Sequence, residues 1–341
     1  MTNPVSIAQY PAVAAILLSV GFAVFPAGCE TNPPSLLSPA PEAFGRIFVQ
    51  ATVDSAAISL DNAPTGRFTP DTIAATVGTH LLRLEKSGFF TTTQTVRVGM
   101  DSLTTVICAL TPHVAEKVVL IEDFSNVSCV PCVLSNLILH SLESGVYSGD
   151  KVAFVKYATN FPSPSDPFYL ADRTDCDARM SYYSILFAPT LIVDGIARPT
   201  STDSAALKDT INARLQQVPK ISVTVTQTVG GGVLGTLVAV TLLDTTGTVF
   251  ADLVLHTVVT ETNVTYASPP GSNGETRFYD VMCIMLPSSG GQSLTPQNRN
   301  STVVYQRQTP IASTWSVGNL HVVAFIQDSK TGMVLQTGSA R

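Results

Sequence analysis

Lys117-Val118-Val119-Leu120-Ile121-Glu122-Asp123, then Phe124-Ser125-Asn126-Val127-Ser128, then Cys129-Val130-Pro131-Cys132, is the stretch on which the reading of this chain turns. Residues 117–123 form a nearly continuous apolar run, the pattern of a strand buried on both faces. Residues 124–128 make a short loop. After the cysteine pair, Val133–Leu142 (VLSNLILHSL) has helical apolar spacing, and Lys151–Ala158 (KVAFVKYA) is a second buried strand. Strand, cysteine pair, helix, strand is the opening of a βαβ unit. A cysteine at a helix start meets free backbone N–H groups and the positive end of the helix dipole, which favour thiolate over thiol. Cys132 stands about one turn on, within reach of a small disulfide, and Pro131, with no N–H to leave unpaired, suits a first turn. Cys129 is therefore the expected nucleophile and Cys132 the resolving thiol.

A Cys-x-x-Cys pair near such a unit resembles the thioredoxin-like proteins. That resemblance implies a cis-proline before a later strand, packed against the pair. Pro189, in Phe187-Ala188-Pro189-Thr190 ahead of Leu191-Ile192-Val193-Asp194-Gly195, matches it. Between the two motifs come an insertion, Thr159–Pro167 (TNFPSPSDP), and a helical segment, Phe168–Ser184; a last helix, Thr202–Gln217, closes the unit. The flanks differ from thioredoxin itself: Val127-Ser128 stands where an aromatic residue precedes the cysteine, and no charged residue lies within the loop. A structural disulfide and half a zinc site are the other readings of the pair, although no second cysteine pair completes a zinc site.

From Ile221 onward the pattern is β. Ile221–Val229 alternates, Gly230-Gly231-Gly232 makes a turn, and Thr236–Leu243, Ala251–Val259 and Phe278–Met285 follow, with loops at Ser268–Glu275 and Ser288–Gly291. Leu320–Gln327 and Met333–Gln336 end a sandwich of about seven strands. Val119-Leu120-Ile121-Glu122-Asp123-Phe124, the run from Asn319 to Asp328 (NLHVVAFIQD) and Met333-Val334-Leu335-Gln336 together resemble the family named for a twenty-eight-kilodalton outer-membrane protein. That resemblance covers Glu116–Arg341. It implies an outer-membrane-associated, thioredoxin-folded protein with a C-terminal sandwich, and no settled reaction.

Toward the N-terminus, Gly45–Leu110 holds five or six short strands separated by turns, a small β-sandwich or barrel. Ala57-Ile58-Ser59-Leu60-Asp61, Thr65-Gly66, Thr69-Pro70, Gly78-Thr79-His80, Arg83-Leu84 and Lys86-Ser87-Gly88-Phe89 closely resemble the PEGA domain family, with its naming tetrapeptide degenerate as Asp54-Ser55-Ala56-Ala57. The resemblance implies a surface-layer or binding module without catalysis, and makes His80 a fold residue beside a turn.

Ala12–Phe25 (AVAAILLSVGFAVF) has the length of a signal-peptide core and falls short of the roughly 20 residues of a comfortable membrane span. It ends in Pro26-Ala27-Gly28-Cys29, which resembles the lipobox of bacterial lipoproteins and implies lipidation of Cys29. Pro26 departs from the usual leucine-like residue, and Met1–Tyr10 carries no Lys or Arg. A plain cleaved signal and an uncleaved anchor are the other readings. The Pro- and Ser-rich run Thr31–Pro41 has the composition of a tether.

The expected organisation is thus a lipoprotein-like signal over 1–28, a linker over 29–44, a PEGA-like all-β domain over 45–112, an α/β thioredoxin-like domain over 116–218 and an all-β sandwich over 219–341. Charged residues make up 13 % of the 341, about half the roughly 25 % of a typical soluble protein, which suits a β-rich envelope protein. No Lys/Arg cluster points to nucleic acid, and the five scattered histidines make no metal motif, so neither a metal nor a cofactor is expected. Of the remaining cysteines, Cys108 and Cys283 fall inside strands as core residues, and the context of Cys176 (Thr174-Asp175-Cys176-Asp177) is more exposed. Two functions follow from these readings. One is a lipid-anchored protein of the outer membrane or periplasmic face that exchanges disulfides with protein partners through Cys129 and Cys132. The other is a non-catalytic surface-binding or adhesion protein in which that disulfide is structural.

Overall fold

Alternation of apolar and polar residues with period two puts every second side chain of a strand on one face, and the first folded unit is built on it. The computed structural model describes residues 43–86, 89–112, 115–147, 149–244, 247 and 249–341; the expected signal segment, Cys29 and the linker through residue 42 lie outside them. Seven strands come first: β1 (Phe44–Ala51), β2 (Ala57–Leu60), β3 (Ala63–Phe68), β4 (Asp71–Thr76), β5 (Gly78–Glu85), β6 (Thr92–Val98) and β7 (Leu103–Cys108). They form two sheets, ordered β4-β1-β7 and β3-β2-β5-β6. Ile47, Val49 and Ala51 of β1 meet Ile58, Leu82, Leu84, Val96 and Val98 in one core. Residues 61–66, turn-rich in sequence, run directly into β3: Asp61 and Asn62 take positive φ, and the ladder resumes at Ala63. His80 joins two turns, its Nδ1 2.6 Å from Asp61 Oδ2 and its Nε2 2.8 Å from the Thr76 carbonyl.

The rest of the chain contributes β8 (Val119–Ser125), α1 (Val130–Gly145), β9 (Val152–Ala158), α2 (Pro167–Ala171), α3 (Arg173–Tyr183), β10 (Thr190–Val193) and α4 (Ser204–Leu215). After these come β11 (Ile221–Gly230), β12 (Val233–Leu242), β13 (Leu253–Glu261), β14 (Val264–Thr265), β15 (Arg277–Phe278), β16 (Val281–Leu286), β17 (Gln292–Ser293), β18 (Thr302–Pro310), β19 (Leu320–Asp328) and β20 (Val334–Ala340). β18 was not anticipated, and the helix expected over 168–184 is divided at Asp172, whose side chain accepts from Asp175 N and so caps α3.

The expected α/β thioredoxin-like domain over 116–218 does not form as a separate unit among the described residues. β8 and β9 are parallel, and β10 pairs antiparallel with β8, but the sheet continues as β10-β8-β9-β16-β13-β19-β20, with β17 beside β13. β9 is joined to β16 at Lys156 and Val281, and Lys156 N donates to Asp280 O at 2.8 Å. Nor is the C-terminal part a sandwich of its own, because one of its two layers is this shared sheet. The other layer, β11-β12-β18, packs Val223, Leu234, Val238 and Val240 against Leu255, Val259, Val322 and Ala324. Among the described residues strands make up 45 % and helices 17 %, so the protein is mostly β. The reason lies in β9. At its outer edge Lys156 N bonds Asp280 O beside β16, so the sheet carries on into the C-terminal strands there instead of ending in an open edge.

Both faces of the shared sheet are covered, which explains the continuous apolar runs of β8 and β9. Val119, Ile121, Val152 and Phe154 pack with Leu139 and Leu142 of α1 and Leu207 and Ile211 of α4. Leu120, Phe124, Val155 and Tyr157 pack on the opposite face with Cys176, Met180 and Tyr183 of α3.

Candidate functional site: the Cys129–Cys132 disulfide

Cys129 is the N-cap of α1, with extended backbone (φ −87°, ψ 107°), and Pro131 falls in the first turn. Its sulfur is bonded to that of Cys132 at 2.09 Å, with the Cα atoms 5.3 Å apart. No acidic side chain occupies the first turn of α1, so nothing there opposes the dipole's preference for a thiolate.

The loop before the pair is held by the 159–167 insertion, through two backbone carbonyls and the Asp166 side chain. Asn126 Nδ2 donates to Thr159 O at 2.6 Å and Ser163 O at 2.9 Å, while Ser128 N donates to Asn126 Oδ1 at 2.9 Å. Val127 N donates to Asp166 Oδ2 at 2.8 Å, and the other oxygen of Asp166 caps α2. Burial raises the carboxyl pKa of Asp166, against the pull of the N–H groups of Val127, Phe168 and Tyr169. Pro189 follows a cis peptide bond from Ala188. Because Thr190 pairs with Phe124, Pro189 lies at the end of the sheet from which the Cys129 loop departs.

Segments distant in sequence complete the surroundings. Lys156 of β9 forms an ion pair with Asp123 of β8 and donates to Asn136 Oδ1 on α1. Asn136 Nδ2 donates to Glu275 at 2.8 and 3.0 Å. Asn273 Nδ2 donates to Glu275 Oε2 at 2.6 Å and to Cys129 O at 3.4 Å. A polar chain thus runs from the Cys129 carbonyl to Asp123, whose Oδ1 is buried without a partner. Sequence reading singled out neither Asn273 nor Glu275; both lie in what looks like a polar loop, and nothing local ties them to residues more than 100 positions earlier.

The disulfide is covered. Cys129 is 3 % exposed and Cys132 is fully buried, whereas Val130, Leu134 and Leu137 of α1 and Leu186 and Phe187 before Pro189 are exposed. Cys176, expected to be more accessible, is 1 % exposed, because Cys176, Met180 and Tyr183 form the i, i+4, i+7 stripe by which α3 meets the sheet. Cys108 is buried and Cys283 partly so. Among the described residues no group of three or more His, Cys, Asp and Glu side chains could hold a metal, and no helix is long and apolar enough to cross a membrane. A cavity of about 300 Å3 lies elsewhere, lined by Arg179, Tyr182, His256, Ser289, Gln327 and Ser329; burial lowers the His256 pKa to about 3, which keeps the imidazole neutral.

Comparison with known proteins bears on the fold more than on the chemistry. No curated protein matches the chain. Among solved structures, HBP35 of Porphyromonas gingivalis aligns with a TM-score of 0.57 at 14 % identity, over 66 % of this chain and 75 % of that one. A protein of Agrobacterium tumefaciens aligns at a TM-score of 0.43 and 14 % identity, over 65 % of this chain and 92 % of that one. A domain of the outer membrane lipoprotein Omp28 from Porphyromonas gingivalis aligns at 0.24 and 15 % identity, over 37 % and 89 %. The last two scores are too low to carry an argument, and the first shows a shared fold alone. Residues 44–113 match the PEGA domain family, so the first unit of the chain is a PEGA domain.

Proposed function

We propose that this is an exported cell-envelope protein, anchored through lipidated Cys29 at the outer membrane or its periplasmic face, that exchanges disulfides with protein partners through Cys129 and Cys132. The observation that carries the reading is the placement of the pair at the start of α1, with Cys129 as N-cap and no acidic residue in the first turn. In the reduced state the Cys129 thiolate attacks one sulfur of a partner's disulfide, and the partner's other sulfur leaves as a thiolate. Cys132 then attacks Cys129 Sγ, releases the second partner thiolate and closes the Cys129–Cys132 bond, so two electrons pass to the partner. The PEGA match and the apolar run ending at Pro26-Ala27-Gly28-Cys29 support the envelope location.

The burial of both sulfurs favours a second reading, a non-catalytic surface-binding protein in which the disulfide is a staple. Measuring the reduction potential of the full chain and its reduction of insulin separates the two. A potential above about −300 mV with turnover supports exchange; structural disulfides fall below that value. A lower potential with no turnover, or unchanged turnover in a Cys129→Ser variant, defeats it.

A further inference from the structure

We propose that residues 271–275 are a clasp over the Cys129 turn whose opening sets the rate at which the disulfide can be attacked. This deepens the exchange reading and rests on it for its biological meaning.

Four consecutive residues before and at the start of the pair are bonded by this one segment. Asn273 Nδ2 donates to Asn126 O at 3.5 Å and to Cys129 O at 3.4 Å. Asn273 N donates to Val127 O at 3.2 Å, and Ser272 N to Ser128 Oγ at 3.3 Å. Gly271 lies so close that a Cβ there would stand 2.2 Å from Val127 O. No side chain fits, and the neighbouring atom is backbone, which cannot swing away. The clasp is latched to α1 itself, because Glu275 accepts from both Asn136 and Asn273. Its base is a two-stranded ladder in which Val264 pairs with Phe278 and Thr265 with Arg277.

A thiolate must approach along the S–S axis to displace the far sulfur. With Cys129 3 % exposed and Cys132 fully buried, the bond is largely shielded until part of the chain opens. The other side of the loop is fastened by buried groups, Asn126 and Asp166. The clasp residues are half-buried or exposed, and its hydrogen bonds open locally at lower cost than the buried ones on the other side. A partner that displaces it exposes the pair; the closed clasp shields the pair from small thiols.

The test uses dithiothreitol on the oxidised full chain. One dithiothreitol thiolate attacks Cys129 Sγ, the bond breaks with its electron pair leaving on Cys132 Sγ, and the second thiolate frees Cys129 and closes the oxidised ring of the reagent. The newly formed thiols are trapped by alkylation and counted by mass spectrometry. Asn273→Ala and Glu275→Gln are expected to speed reduction at least about fivefold, roughly the worth of one hydrogen bond, while Cys108, Cys176 and Cys283 stay unalkylated. Reduction of the unaltered protein is expected to level off at high dithiothreitol, where opening becomes limiting. Equal rates in all three proteins would overturn the clasp. So would faster reduction accompanied by alkylation of Cys108, Cys176 or Cys283, which would mean global opening. These rates are measured with a chemical reductant whatever the reduction potential proves to be, so failure of the clasp and failure of the exchange reading are told apart.

Discussion

Arg179 donates from both Nε and Nη2 to a single oxygen of Glu122, at 3.1 and 2.5 Å, with the two side chains 2 % and 0 % exposed. The second oxygen of Glu122 accepts from the Tyr183 hydroxyl, and Arg179 Nη1 donates to Gln327 Oε1 at 3.2 Å. The pair therefore ties α3 to β8 and to β19, across the seam at which the expected α/β domain merges with the C-terminal strands. Removing one partner leaves a buried charge uncompensated, which costs about 3–5 kcal/mol. Arg179→Met should lower unfolding stability by about that amount in urea titrations, and adding Glu122→Gln to it should restore part of the loss. A loss below about 1 kcal/mol for Arg179→Met would mean that water reaches the site.

Glu143 at the end of α1 predicts a pH dependence. Burial, and then the neighbouring charge of Asp280, raise its carboxyl from 4.5 to about 7, against the pull of Arg341, whose Nη2 lies 2.7 Å away. With its folded pKa above the unfolded one, the folded protein binds the extra proton between those values. Stability is then highest on the acid side of the window and falls as pH rises from 4.5 to about 7. Glu143→Gln should remove this component. Urea midpoints across the window should converge for the two proteins at low pH and separate, with Glu143→Gln the higher, as pH rises. Parallel curves would refute the assignment.

The three remaining described cysteines should be inert. Burial pushes the Cys108 thiol up to about 11 and raises those of Cys176 and Cys283 as well. At neutral pH almost none of each is thiolate, the reactive form. Iodoacetamide applied to the native oxidised protein should leave all three unmodified, and alkylation should appear only in denaturant. Native labelling at Cys176 would show that α3 lifts from the sheet far more readily than its packing implies.

Much of the local structure was legible in the chain itself. The period-two alternation of β1 and β5, the continuous apolar runs of β8 and β9, and the helix that begins at Cys129 are patterns among neighbouring residues, and each element formed where its pattern lies. The PEGA domain was legible for a related reason, since its matching residues fall in order within one contiguous segment. Errors arose where the deciding partner was distant. Cys176 looks exposed between two aspartates, but Asp175 is itself spent on Met285 N, 2.7 Å away, and that bond presses α3 onto the sheet.

By itself, then, the sequence determined most of the element types, the cysteine pair at a helix start and the PEGA module, because periodicity and capping act over a few residues. Tertiary structure alone decided that β9 takes β16 as its neighbour, that Arg179 neutralises Glu122, and that a glycine at 271 and an asparagine at 273 close over residues 126–129. These contacts join residues 57 to 144 or more positions apart. They satisfy backbone edges and buried charges that no local pattern can pair in advance, and the accessibility of the disulfide depends on them.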